Sequence, residues 1–203
     1  MQLTVPIPER QPAVRLPAGV LSWTEDEFFH FCQSNRDLRI ERSASGEIIV
    51  MSPAGGYSGF RSGEVFWQLR TWAAKDGSGV AFDSSTGFLL PNGAMRSPDA
   101  AWVRLSRLAE LSHLQKEKFI PLCPDFVIEV ASPSDALANL TEKMDEYRNC
   151  GVQLAWLILP ESLEVQVYAA SAVQQLTTPQ VISGDPMLPD FALDLTSVWN
   201  PPF

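Results

Sequence analysis

The sequence predicts one domain of the α/β class, in its α+β form, on three observations. Two stretches carry apolar residues at helical spacing, and short strand-like runs separated by turn residues surround them. A further run, Asp125 to Ala131, is apolar on both faces except for Glu129. At 203 residues, 45% of them apolar, the chain is long enough to bury one sizeable core and short for two.

Residues 1–20 hold four prolines and little periodicity, so they read as an extended surface arm, with the domain over residues 21–203. Thr24-Glu25-Asp26-Glu27 is a capping box, and Phe28, Phe31 and Cys32 continue it as a short helix. Leu38 to Glu41 and Glu47 to Met51 flank the turn-rich Ser43 to Gly46 and read as a β-hairpin. Arg61 to Lys75 places Val65, Phe66, Leu69, Trp72 and Ala73 on one stripe and stops at Gly77 and Gly79, which defines a long second helix. Val80 to Asp83, Gly87 to Leu90 and Ala100 to Val103 read as a meander of strands, broken by turns at 84–86 and 91–93. Ser106 to Phe119 is polar, with room for a helical turn. Asp125 to Ala131 is the central strand. Asp135 to Cys150 follows as a helix with Leu137, Leu140, Met144 and Tyr147 on its stripe and Gly151 as its stop. Leu154 to Leu159 and Leu163 to Tyr168 close the sheet as a hairpin around Pro160-Glu161-Ser162.

Several function classes are disfavoured. Cys32, Cys123 and Cys150 are far apart, with no C-x-x-C pair, so neither a disulfide framework nor a thiolate metal site is signalled. Only His30 and His113 are present, no H-E-x-x-H occurs, and no Gly-rich phosphate loop is found. The formal net charge of −9 argues against passive nucleic-acid coating, which rests on a basic surface. An acidic protein still acts on a polyanion when a divalent metal neutralises the reaction centre. Met1 to Pro17 lacks a secretory pattern, and the longest apolar run elsewhere, Leu154 to Leu159, falls far short of the roughly 18 residues of a membrane span. A cytoplasmic protein with no membrane partner is the expectation.

Glu129 sits in mid-strand among apolar neighbours, on the face it shares with Val127 and Ala131. Burying an unpaired carboxylate costs several kcal/mol, so a proton, a cation or a metal is required beside it. Asp99 opens the strand Ala100-Ala101-Trp102-Val103 after Ser97-Pro98 and is a candidate to share one hard cation with it. Mg²⁺ prefers a few carboxylate oxygens plus waters, and phosphodiester cleavage uses that ion to activate water and to stabilise charge on phosphate. Lys143 flanks the stripe of its helix, and its stem could carry an ammonium to the sheet, where it would hold the attacking water or steady the phosphate. Glu64 flanks the stripe of the second helix in the same way. Taken singly, Asp99 also fits a turn cap, and Lys143 and Glu64 also fit solvated helix edges.

Ser97-Pro98-Asp99-Ala100-Ala101-Trp102-Val103, Pro124-Asp125-Phe126-Val127-Ile128-Glu129-Val130 and Ser132-Pro133-Ser134-Asp135 resemble the Uma-two family of restriction-endonuclease-like proteins, within the PD-(D/E)XK nuclease superfamily. The likeness extends through Gly46 to Pro53, Phe82 to Phe88, Lys143 to Gly151 and Trp156-Leu157-Ile158. The resemblance implies a restriction-endonuclease-like mixed β-sheet flanked by helices, a nuclease-like active site, DNA as substrate, and a homodimer. It puts the superfamily's aspartate on Asp99, its second acid on Glu129 and its first-helix glutamate on Glu64. Ala131 stands where the superfamily's strand lysine belongs, and the family's relocated lysine falls on Lys143. The expected activity is therefore a Mg²⁺- or Mn²⁺-dependent endonuclease with Asp99 and Glu129 as metal ligands. A nuclease fold retained as a nucleic-acid- or protein-binding module is the alternative. Val198-Trp199 and the proline-rich arm read as exposed apolar surface for a dimer interface.

Overall fold

A computed structural model describes residues 13–19 and 23–203. The chain runs β1 (Ala13–Leu16), α1 (Glu25–Ser34), β2 (Arg39–Arg42), β3 (Ile48–Met51), α2 (Gly56–Asp76), β4 (Gly79–Asp83), β5 (Phe88–Leu89), β6 (Met95–Arg96) and β7 (Ala100–Arg104). Then come α3 (Leu105–Ala109), α4 (His113–Glu117), β8 (Phe126–Val130), α5 (Leu137–Asn149), β9 (Leu154–Leu159), β10 (Glu164–Ala169), β11 (Val173–Thr177), β12 (Val181–Ser183), β13 (Ala192–Asp194) and α6 (Thr196–Trp199).

The large sheet has the order β11-β10-β9-β8-β7-β4. All its pairs are antiparallel except β8 with β9, which must be parallel because α5 carries the chain back between them. Strand alternation divides the core into two layers. Phe126 and Ile128 pack with Val65, Leu69 and Ala73 of α2 on one face, and Val127 packs with Met144 and Tyr147 of α5 on the other. Each such side chain contributes about 1.5–3 kcal/mol by burial. A second sheet, β1-β3-β2-β6-β5, holds α1 through Phe28, Ile40, Ile48 and Met95. The mixed sheets flanked by helices agree with the predicted class. No helix among the described residues is long and apolar enough to cross a membrane.

The structure departs from the sequence reading at several points. The meander does not form: β4 pairs directly with β7, while Phe88–Leu89 crosses to the second sheet and pairs with β6. The cause is local, since Asp83 accepts from the Ser85 N–H and closes a turn that ejects the chain, and Gly93, at φ 86°, folds it back on itself. Helix α2 begins at Gly56, five residues before the predicted start at Arg61, because Phe203 packs across Gly56, Tyr57 and Phe60 and overrides the poor helix propensity of the glycines. Val198 and Trp199 are buried against the α2 face, not exposed, which removes the surface expected of them in a dimer. In the proline-rich arm, residues 1–12 lie outside the described residues, and Ala13–Leu16 is an edge strand paired with β3.

Candidate active site

β7 and β8 run antiparallel with Ala100 opposite Ile128. One step further along the same register sets Asp99 opposite Glu129. The contacts agree: the Val130 N–H donates to Asp99 Oδ2 at 2.9 Å, and Ser62 Oγ of α2 donates to Oδ1 at 3.1 Å. Pro98 before it withholds an N–H and stiffens the approach. Asp99 is thereby tied to both β8 and α2.

Glu129 is 6% exposed. Lys143 and Tyr147 are four residues apart on α5, hence on one helix face, and both reach the same oxygen. Lys143 Nζ lies 2.7 Å from Glu129 Oε1, and the Tyr147 hydroxyl donates to that atom at 3.0 Å. Oε2 accepts no hydrogen bond among the described residues, and Glu129 lines an open cleft. This carboxylate is half used.

Behind Lys143 stands a second acid that sequence reasoning missed. Glu41 on β2 is 3% exposed. Its Oε1 lies 2.9 Å from Lys143 Nζ and accepts from the Ser97 N–H at 3.0 Å, and its Oε2 pairs with Arg96 Nη1 at 3.1 Å. Arg96 Nε in turn contacts Glu146 Oε2 at 2.5 Å, and Asn92 donates to the other oxygen of Glu146. The ammonium is thus clamped between Glu129 and Glu41. In the sequence, Arg39-Ile40-Glu41 alternates as an ordinary half-solvated strand does. The available signal was Arg96, a lone cation just ahead of Ser97-Pro98-Asp99.

Charge balance follows from this geometry. Burial pushes the Glu129 carboxyl up to about 7, with Asp99 and Glu41 adding repulsion that Lys143 only partly offsets. Burial would raise Glu41 too, but Lys143, Arg96 and the Ser97 N–H outweigh it and hold Glu41 below the usual range. Glu41 therefore keeps its negative charge the more firmly of the two. Burial alone would lower Lys143, yet Glu129 and Glu41 together hold it above its ordinary value. It remains an ammonium.

Asp99, Glu129 and Lys143 all line one cleft of about 770 Å³, walled by the start of α2, the segment after β3 and the segment after β8. Glu64 does not line it. Its carboxylate accepts from Gln68, which bonds onward to the backbone of Asp194 on β13. Among the described residues no group of three or more His, Cys, Asp and Glu that could hold a metal stands together, and the carboxylates that line the cleft beside Lys143 are those of Asp99 and Glu129. Two carboxylates, one with a free oxygen, suit Mg²⁺ or Mn²⁺, which retain several waters. The first turn of α2 on the cleft wall contains no acid, and Gly55 supplies no side-chain cap, so its N–H groups favour an anion there.

A family model, Uma2, described as "Putative restriction endonuclease", matches residues 25–196. Among solved structures, the fold is similar to the crystal structure of a "putative nuclease" from Anabaena variabilis ATCC 29413. The TM-score is 0.71 at 19% identity, over 88% of this chain and 98% of that one. At that identity the likeness establishes a shared fold. No curated protein matches.

Proposed function

The chain belongs to the Uma2 family of restriction-endonuclease-like proteins, and from that premise and the cleft geometry we propose a metal-dependent endonuclease that hydrolyses phosphodiester bonds of DNA. Family and fold both support a nuclease. The observation that carries the reading is the half-used Glu129 carboxylate opposite Asp99, with a clamped ammonium on its other oxygen.

Asp99 and Glu129 would hold Mg²⁺ or Mn²⁺, which supplies a more acidic water and offsets charge on the phosphate. Lys143 stays protonated, so it serves as a donor and not as a base. It orients the attacking water and stabilises the negative charge that builds on phosphorus oxygens as one P–O ester bond breaks. Glu41 holds Lys143 in place from behind. Glu64 takes no part in this reading.

The test is cleavage of plasmid or single-stranded DNA with Mg²⁺ or Mn²⁺, with Asp99→Ala abolishing it. Calorimetry with Mn²⁺ should show binding that Glu129→Gln weakens. Cleavage that survives Asp99→Ala sinks the assignment. A second reading, a nuclease fold kept as a binding module without turnover, draws on Glu41, which already neutralises Lys143. It predicts no Mn²⁺ binding.

A further inference from the structure

Two half-buried arginines in the cleft lack acidic partners, whereas the other cations without an ion pair among the described residues, Arg36, Arg70, Lys75 and Lys116, are all exposed. Arg39 and Arg61 both line the cleft with Asp99 and Glu129. Among the described residues neither forms an ion pair. Strand alternation puts Arg39 on the same face of β2 as Glu41, toward the site, and its Nε is buried with no hydrogen-bond partner among the described residues. Buried donors normally find acceptors. Arg61 uses Nε to bond the Val198 carbonyl at 2.8 Å, which fixes the side chain, and its outer nitrogens bond none of the described residues. With 24 acidic residues available in the chain, two cations left unpaired in one cleft point to an anion supplied from outside.

A third feature lies beside Arg61. Tyr57, 53% exposed, also lines the cleft, and the Arg61 guanidinium lies 5.7 Å from its ring centroid. Phe203 packs against the same ring at 5.2 Å between centroids, so the surface left for a base is the exposed part of Tyr57 beside a guanidinium, the combination that holds an unstacked base next to its backbone. The cleft volume of about 770 Å³ falls in the range of about 300–1,000 Å³ that takes a small organic ligand. A short piece of one strand fits such a space and offers an unpaired base to Tyr57, whereas a duplex keeps its bases paired and stacked and offers none.

We infer that the cleft binds single-stranded nucleic acid, with Arg39 and Arg61 on phosphates flanking the scissile bond and Tyr57 stacked on a base. This rests on the nuclease reading for the word scissile, but the binding itself does not need the metal. The test is therefore made in EDTA, by fluorescence anisotropy of a labelled oligothymidine titrated with the whole protein. Each of Arg39→Ala and Arg61→Ala should weaken binding about tenfold and flatten the slope of log affinity against log salt by about 0.7. Tyr57→Ala should weaken it at least about fivefold, the low end for one stacked base, with the salt slope unchanged. A duplex of equal length should bind more weakly and ignore Tyr57→Ala. Melting temperatures and Arg39→Lys, which restores the salt slope, separate these effects from misfolding. Unchanged affinity in the arginine variants, equal binding of duplex, or no binding of the oligonucleotide overturns the inference. The arginine and Tyr57 variants are read by binding in EDTA and the Asp99 variant by metal-dependent cleavage, so loss of binding and loss of cleavage report on different claims.

Discussion

Asp125 and Glu129 flank the same short strand as buried carboxylates, yet they are used in opposite ways. Asp125, at the entry to β8, is fully buried, and both its oxygens are spent. The Arg104 N–H donates to Oδ2 at 3.0 Å, while Arg107 Nη1 at 3.0 Å and Gln153 Nε2 at 3.3 Å reach Oδ1. Glu129, at the exit, is nearly as buried and lines the cleft, but Lys143 and Tyr147 share one oxygen and the other has no partner among the described residues. Burial of charge alone does not mark a functional site, because structural carboxylates are buried as well. Unused bonding capacity beside an opening marks it. The exit of β8 is also where parallel strands β8 and β9 end together, the edge at which α/β sheets bind ligands.

The comparison can be broken most directly by removing one acid at each end. Asp99→Ala, which strips the partner of Glu129, should reduce metal-dependent cleavage at least about 1,000-fold, the several kcal/mol that a positioned ion supplies. Its melting temperature should fall less than that of Asp125→Ala, because the Val130 N–H and Ser62 hydroxyl it releases are only part-buried and can turn to water. Asp125→Ala should do the reverse, costing about 2–4 kcal/mol in denaturant unfolding because it strands the Arg104 N–H and the cations beside it. A large loss of stability in the first variant, or a negligible one in the second, would erase the distinction drawn here.

Glu41→Gln probes the clamp. Groups that orient a reacting residue are typically worth about 10–100-fold, so kcat should fall by that factor with KM nearly unchanged, in steady-state cleavage of a defined oligonucleotide. An effect confined to KM would make Glu41 a binding residue. The smallest effect concerns pH. With Glu129 held up to about 7, a proton competes with metal below that value, so Mn²⁺ affinity by calorimetry should rise about tenfold per pH unit from pH 5 toward 7 and then level off. Glu129→Gln should remove that slope.

The site was partly legible from the chain alone. Glu129 declared itself as the single acid in an otherwise apolar strand, because only a costly residue interrupts such a run. Asp99 was marked by Ser97-Pro98 before it and by the resemblance, and Lys143 by its place beside the helix stripe. Glu64 looked equivalent to Lys143 by the same reasoning, and α2 turns it toward Gln68 and β13 instead. A flank position on a helix fixes a face to within about a hundred degrees, which is too coarse to say which neighbour lies there. Glu41 and Arg96 were invisible as a pair, since 55 residues separate them and β2 alternates as a solvated strand does.

What the sequence by itself determined is local and periodic: the capping box at Thr24, the stripes of α2 and α5, and the alternation that sends Glu129 to the α5 face. These depend on residues within a few turns of one another, so hydrophobic spacing specifies them. Tertiary structure alone decided the crossing of Phe88–Leu89 into the second sheet, the burial of Trp199, and the clamp of Lys143 between Glu129 and Glu41. Each of these needs a partner far away in the chain, and only the assembled core says which partner arrives.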